Sequence, residues 1–104
     1  MCGAGYAAYS ASKAGMMALS RTVAADYAKD GVRSNVIVPG TITTPLINDL
    51  ISDPHTHEQL LKGTPLGRLG VPSDLVGIAN WLASDQSRFA TGASFAVDGG
   101  LTAR

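Results

Sequence analysis

Gly31-Val32-Arg33-Ser34-Asn35-Val36-Ile37-Val38-Pro39-Gly40 is the stretch on which the fold turns. Its centre, Val36-Ile37-Val38, is a run of β-branched apolar residues, and Arg33 to Val38 is predicted to be a short buried strand. Pro39 and Gly40 end it, because proline has no N–H for a ladder and glycine turns at no steric cost. On the N-terminal side, Ala8 to Lys29 reads as a helix in which alanine dominates and Leu19, Val23 and Tyr27 recur at four-residue intervals. Gly31 is its stop signal. Gly15 costs that helix about 1 kcal/mol relative to alanine. With Ala11, Ala14 and Ala18 it makes a small-residue face that another helix or a ligand could approach closely.

On the C-terminal side, Thr41 to Leu66 is loop-like, with short helical pieces around Leu46 to Ile51 and Glu58 to Lys62 and a turn at Asp53-Pro54. Pro72-Ser73-Asp74 opens a second helix, with proline in the first turn and an acid near its positive end. Leu75, Ile78, Ala79 and Leu82 form the expected buried stripe, flanked by Trp81, and the helix is expected to end near Ser84-Asp85. Thr91-Gly92 is a turn, Ser94 to Val97 a second strand, and Asp98-Gly99-Gly100 a closing turn. Strand, helical crossover and strand make a right-handed parallel unit. Two strands alone make a poor sheet, and a parallel sheet needs cover on both faces. The chain is therefore expected to be α/β, the last two strands and their helices of a larger doubly wound parallel sheet. Residues 1–104 read as one continuous unit without repeats or linkers.

Composition narrows the function classes. The 104 residues are 45% hydrophobic, and eight basic residues balance eight acidic ones. No basic excess points to nucleic acid or to an anionic membrane surface. No apolar run approaches the roughly 18 residues of a spanning helix, and no export signal is evident. Cys2, the lone cysteine, cannot form an internal disulfide, which suits a reducing cytoplasm.

Tyr9-Ser10-Ala11-Ser12-Lys13 carries the chemistry. On a helix, residues four apart share a face. An ammonium beside a phenol favours the phenolate and eases proton exchange, and lysine has donors left to hold a pair of ribose hydroxyls. Such a tyrosine could act as acid/base in an alcohol–carbonyl interconversion coupled to hydride transfer. Taken alone, the pair is a weak signal and reads better as an exposed lysine and a half-buried tyrosine on an amphipathic helix.

Several motifs in register set that pair in context. Tyr6 to Gly15 resembles the active-site helix of classical short-chain dehydrogenases/reductases, and Gly31 to Gly40 resembles their next strand with its Pro-Gly turn. Thr41-Ile42-Thr43-Thr44-Pro45, Gly67-Arg68-Leu69-Gly70-Val71-Pro72-Ser73-Asp74, Trp81-Leu82-Ala83-Ser84-Asp85, Thr91-Gly92 and Val97-Asp98-Gly99-Gly100 follow in the family's order.

The resemblance implies a Rossmann-type NAD(P)-binding domain of which residues 1–104 are the C-terminal portion. It also implies an oxidoreductase using NAD or NADP on a small alcohol or carbonyl, similar to 3-oxoacyl-carrier-protein reductases or alcohol dehydrogenases. The same scaffold can also host an epimerase or dehydratase. Tyr9 would be the acid/base and Lys13 the ribose-binding partner that promotes the phenolate. Pro39 and Gly40 would line the nicotinamide side, Ile42 would meet the carboxamide through its backbone, and Thr44 would offer its hydroxyl to the cofactor or cap the following helix. Leu46 to Leu66 would be the substrate loop, closing as a lid. Asp53, His55, His57 and Glu58 lie in that loop with poor spacing for a closed metal site, and a solvated loop is expected instead. The long helix and last strand would contribute to a homo-oligomer, dimer or tetramer.

The family's glycine-rich phosphate loop, its active-site serine and its helix-borne asparagine have no counterpart here, and Ser34 stands where the family places a branched apolar residue. The expectation is a fragment that binds no nicotinamide measurably by itself. The alternative is an inactive remnant that self-associates or docks a partner.

Overall fold

The computed structural model describes residues 5–103; Cys2 lies outside that range. Helix α1 spans Ala7–Tyr27 and tightens into a 3-10 turn at Ala28–Asp30. The stop is the expected one. Gly31 takes φ 75°, and its N–H and that of Val32 satisfy the last carbonyls, Ala28 O at 3.0 Å and Tyr27 O at 3.2 Å. The face of α1 turned toward the body differs from the Leu19/Val23/Tyr27 pattern. Leu19 and Tyr27 are exposed, and the shielded positions are Ser10, Met17, Ser20, Val23 and Ala24. Small side chains let the helix lie close. The Ser20 and Ser34 hydroxyls meet at 2.8 Å, and a Cβ added at Gly92 would sit 3.5 Å from that of Ala24.

Strand β1 is Val36–Pro39 and pairs in parallel with β2, Ser94–Val97, in the register Val36↔Ser94 to Pro39↔Val97. Two boundaries differ from the sequence expectation. Pro39 belongs to the strand instead of ending it. Val36 and Gly40 donate to Ala93 O and Val97 O, so the alternating position 39 faces away from β2 and its missing N–H leaves the ladder intact. Arg33 to Asn35 stay outside the strand because their side chains clasp the approach to β2. The Arg33 guanidinium donates to Ala90 O at 3.0 Å and Leu82 O at 2.7 Å. The Asn35 amide donates to Ala90 O at 2.9 Å and accepts from Ala93 N–H at 3.1 Å.

Between the strands lie α2, Pro45–Ile51, and α3, Pro54–Gly63. Both are longer than the expected pieces, and each has proline near its first position, pre-set for helical φ. Asp53 caps α3 with bonds from Thr56 N–H at 2.9 Å and Thr56 Oγ1 at 2.6 Å. Its carboxylate is thereby committed to the helix cap, and His55, His57 and Glu58, expected in a loop, lie on α3. A 3-10 turn at Pro72–Leu75 leads into α4, Val76–Ala83. Leu75, Ile78 and Leu82 are only half-buried, and Ala79 is exposed. Trp81 does more than flank this stripe: its ring packs edge-on against Phe95 of β2, with centroids 5.6 Å apart.

The packing is thin for a finished domain. The radius of gyration is 15.8 Å, against about 13 Å for a compact chain of this length. Ala24 and Leu69 are the buried apolar residues, while Met16, Leu19, Leu46, Leu66 and Phe89 stand in solvent. Exposed apolar surface on this scale normally marks a surface that another body covers.

Candidate active site

The first turns of α1 present Tyr9 and Lys13 on one face. Ser10 N–H bonds to Tyr6 O at 2.8 Å and Ser12 Oγ to Tyr9 O at 2.8 Å, so the turn carrying the pair is closed. Lys13 Nζ lies over the Tyr9 ring, 5.3 Å from its centroid, within cation–π reach. Tyr6 adds an edge-on contact to the same ring at 6.4 Å. Tyr9 is 53% exposed, and Lys13 makes no ion pair among the described residues. The contacts of Ser20 with Ser34 and of Ala24 beside Gly92 lie roughly 16–22 Å from Tyr9 along the helix at 1.5 Å per residue. The pair therefore projects on a largely uncovered helix.

A second group forms beyond β1. Gly40 is required there by β2: a Cβ would stand 2.8 Å from Asp98 Cα and 2.9 Å from Asp98 O. Ile42 makes an isolated parallel bridge to Gly70. In that bridge Gly70 N–H donates to Thr41 O at 2.9 Å and Thr43 N–H to Gly70 O at 2.8 Å. The Thr43 hydroxyl also donates to Gly70 O, at 3.1 Å. Parallel pairing uses the groups on either side of the bridging residue. Ile42's own N–H and C=O therefore make no backbone hydrogen bond among the described residues. Thr44 sits at the N-cap of α2, where its carbonyl accepts from Ile47 and Asn48 N–H. Its hydroxyl makes no capping bond, so the capping alternative for that side chain does not hold.

A cavity of about 220 Å³ opens here, walled by Gly40, Ile42, Thr64, Arg68, Asp74 and Asp98 among others. Gly40 and Ile42 thus share a wall, whereas Tyr9, Lys13, Pro39 and Thr44 lie outside it. Two carboxylates edge the cavity. Asp74 is held down to about 2 by hydrogen bonds from the Arg68 guanidinium and then from Val71 N–H. The distances are 2.7 Å and 2.9 Å for the two arms of the fork and 2.8 Å for the amide. Asp98 is also lowered, chiefly by the Thr102 hydroxyl at 2.6 Å.

Arg68 and Asp74 are residues whose chemistry the sequence reading passed over. In sequence Asp74 reads as a helix-terminus acid, and the available signal is an arginine and a carboxylate six apart across Gly70 and Pro72. Arg33 was passed over likewise. The segment from Leu46 to Leu66 is preceded by the Ile42–Gly70 bridge and ends on a bond from Leu66 N–H to Gly99 O at 3.0 Å. No described helix is long and apolar enough to cross a membrane.

Known proteins place this arrangement. The family model described as Enoyl-(Acyl carrier protein) reductase matches residues 1–102. The chain is 42% identical over 97 residues to 3beta-hydroxysteroid dehydrogenase 1 of Eggerthella lenta, covering 93% of this chain and 37% of that protein. It is 48% identical over 99 residues to the NADP-dependent (R)-specific alcohol dehydrogenase of Lentilactobacillus kefiri, covering 93% and 39%. The structure of 4-hydroxyisoleucine dehydrogenase complexed with NADH superposes with a TM-score of 0.90 at 38% identity, over 94% of this chain and 40% of that one. The chain thus spans about two-fifths of the length of these relatives, and its two parallel strands with their helices are part of a Rossmann-type sheet. Matched along nearly its whole length, the chain belongs to the short-chain dehydrogenase/reductase family.

Proposed function

We propose that this chain is the C-terminal part of a single NAD(P)-binding domain. In this reading it supplies the proton-handling half of an oxidoreductase that interconverts an alcohol and a carbonyl. The observation that carries the reading is the Tyr9–Lys13 pair, the ammonium lying over the phenol ring at the exposed start of α1. A separate donor set, beyond β1, suits a nicotinamide nucleotide. Ile42 offers a free N–H and C=O, matching the acceptor and donor of a carboxamide, and Thr44 offers an uncommitted hydroxyl.

When bound, the nicotinamide supplies or accepts the hydride. The chain's own residues do the rest. Tyr9 Oη gives its proton to the carbonyl oxygen in reduction and takes it back in oxidation. The Lys13 ammonium holds ribose hydroxyls. Pro39 and Gly40 border the nicotinamide side, and α2 with α3 closes over the substrate. The cofactor of this reading is NAD or NADP, and the substrate a small alcohol or carbonyl compound. A cytoplasmic setting and assembly into a homo-oligomer accompany this reading.

The test is a chimera in which this chain replaces the matching segment of the Lentilactobacillus kefiri enzyme. Reduction of a ketone by the chimera should fall about a hundredfold or more in Tyr9→Phe, the usual weight of a general acid. A folded chimera whose turnover is unchanged by Tyr9→Phe would refute the role. The exposed Met16, Leu19 and Phe89 favour a second reading, a self-associating module without activity. Sedimentation of the chain as a folded monomer at micromolar concentration contradicts that one.

A further inference from the structure

We infer that Arg68 and Asp74 are positioning residues that hold the Thr41–Thr43 segment in place through Gly70, and so fix where the Ile42 peptide points. The inference rests on the reading of Ile42 as a nicotinamide contact, and it adds a specific device to that reading. Three observations converge. First, Thr41–Thr43 continues neither strand; it is held by Gly70 through the bonds to Thr41 O, Thr43 N–H and the Thr43 hydroxyl. Second, the contact is close, because a Cβ on Gly70 would press the tip of the Ile42 side chain aside and reach Thr41 O at 3.4 Å. Third, Gly70 lies inside a loop closed by one carboxylate. Asp74 Oδ2 accepts from Val71 N–H on one side of Gly70 and from Arg68 on the other, while the second arm of the guanidinium fork binds Oδ1. Arg68 also donates to Leu69 O at 3.1 Å. Every residue flanking Gly70 is thereby tied to one ion pair.

A two-armed fork fixes orientation as well as distance, which a lone surface charge pair would not. The pair is about half exposed, so its worth lies in geometry more than in Coulomb attraction. Removing it should release the bridge and leave the β1–β2 ladder untouched.

The test is amide hydrogen exchange on this chain, followed by NMR, with Val36 and Gly40 as ladder references. Arg68→Gln and Asp74→Asn should each raise exchange at Thr43 and Gly70 about tenfold, the loss expected for a charge-assisted bond. The reference amides should be unchanged, and Arg68→Lys, which keeps one arm, should recover part of the protection. Exchange at Thr43 and Gly70 that is unaffected in both variants overturns the inference. Exchange that rises equally at Val36 and Gly40 also overturns it, since the pair would then support the whole fold. The measurement needs no cofactor. It can therefore fail while the Tyr9→Phe chimera succeeds, or succeed while the chimera fails.

Discussion

One atom added at two glycines should move stability in opposite directions. At Gly40 a methyl would lie 2.8 Å from Asp98 Cα and 2.9 Å from Asp98 O, where ordinary contact begins at 3.4 Å. The neighbour is backbone, so no side chain can swing aside, and the ends of β1 and β2 must part by more than half an ångström. Overpacking of this kind costs about 1–3 kcal/mol. Parting the strands also strains the 3.1 Å bond from Gly40 N–H to Val97 O, whose loss costs about 1 kcal/mol more. Gly40→Ala should therefore destabilise the chain by about 2–4 kcal/mol, a large share of the roughly 5–15 kcal/mol that a small domain possesses. At Gly15, inside α1, nothing lies within 4 Å of the added methyl, and Gly15→Ala should stabilise by up to about 1 kcal/mol. Urea unfolding followed by helical circular dichroism reads both. With a slope of about 1–3 kcal/mol per molar, the Gly40→Ala midpoint should drop by about 1–2 M while that of Gly15→Ala rises. The family resemblance assigns the bare Gly40 to cofactor approach, which leaves stability of the free chain untouched. A Gly40→Ala midpoint equal to wild type would therefore refute the strand-contact argument.

Two further outcomes follow from side chains that hold backbone. Arg33→Met removes the donor to Leu82 O and Ala90 O; it should cost about 1.5–3 kcal/mol in the same urea assay, and a loss below about 0.5 kcal/mol would deny Arg33 its clasping role. In acid, Asp74, at about 2, and Asp98 both sit below the ordinary carboxylate value of 3.8. The unfolded chain then takes up protons first as pH falls. Their stabilisation is complete above about pH 4 and fades as the pH falls toward about 2. Thermal melts across that window should show it, and Arg68→Gln should flatten the Asp74 share. Identical acid profiles for the two proteins would contradict the pairing.

The parts of the fold legible in sequence were those set by local chemistry. Gly31 stops α1 because only a left-handed residue closes its last carbonyls, and Pro72 marks a helix start because fixed φ acts within one turn, whereas Asp53-Pro54, expected to be a turn, opens α3. The parts misread were those in which a distant partner overrides the local pattern. Arg33 to Asn35 carries strand-like residues, yet its side chains take up the carbonyls and amides of residues 82–93, more than forty positions away. Leu19, Val23 and Tyr27 have helical spacing, but the body is met by Ser20 and Ala24, because the opposing surface is Ser34 and Gly92 and admits only small side chains.

The candidate site divides along the same line. Tyr9 and Lys13 need one helical turn to meet, so their spacing states their geometry whatever else the chain does, and the structure adds only that the ammonium lies over the ring. Ile42 is different. Its free N–H and C=O exist because Gly70, twenty-eight residues on, takes the groups on either side of it. No local pattern announces that, although Gly67 to Asp74 holds every part of the device: an arginine and an aspartate to close the loop, and a glycine to approach Ile42. On the proposed reading, a substitution at Tyr9 should therefore alter proton handling, whereas one at Arg68 or Asp74 should act through the Ile42 peptide without touching Tyr9. The two halves of the site rest on separate physical supports, one a helix turn and the other an ion-paired loop, and either can be removed without the other.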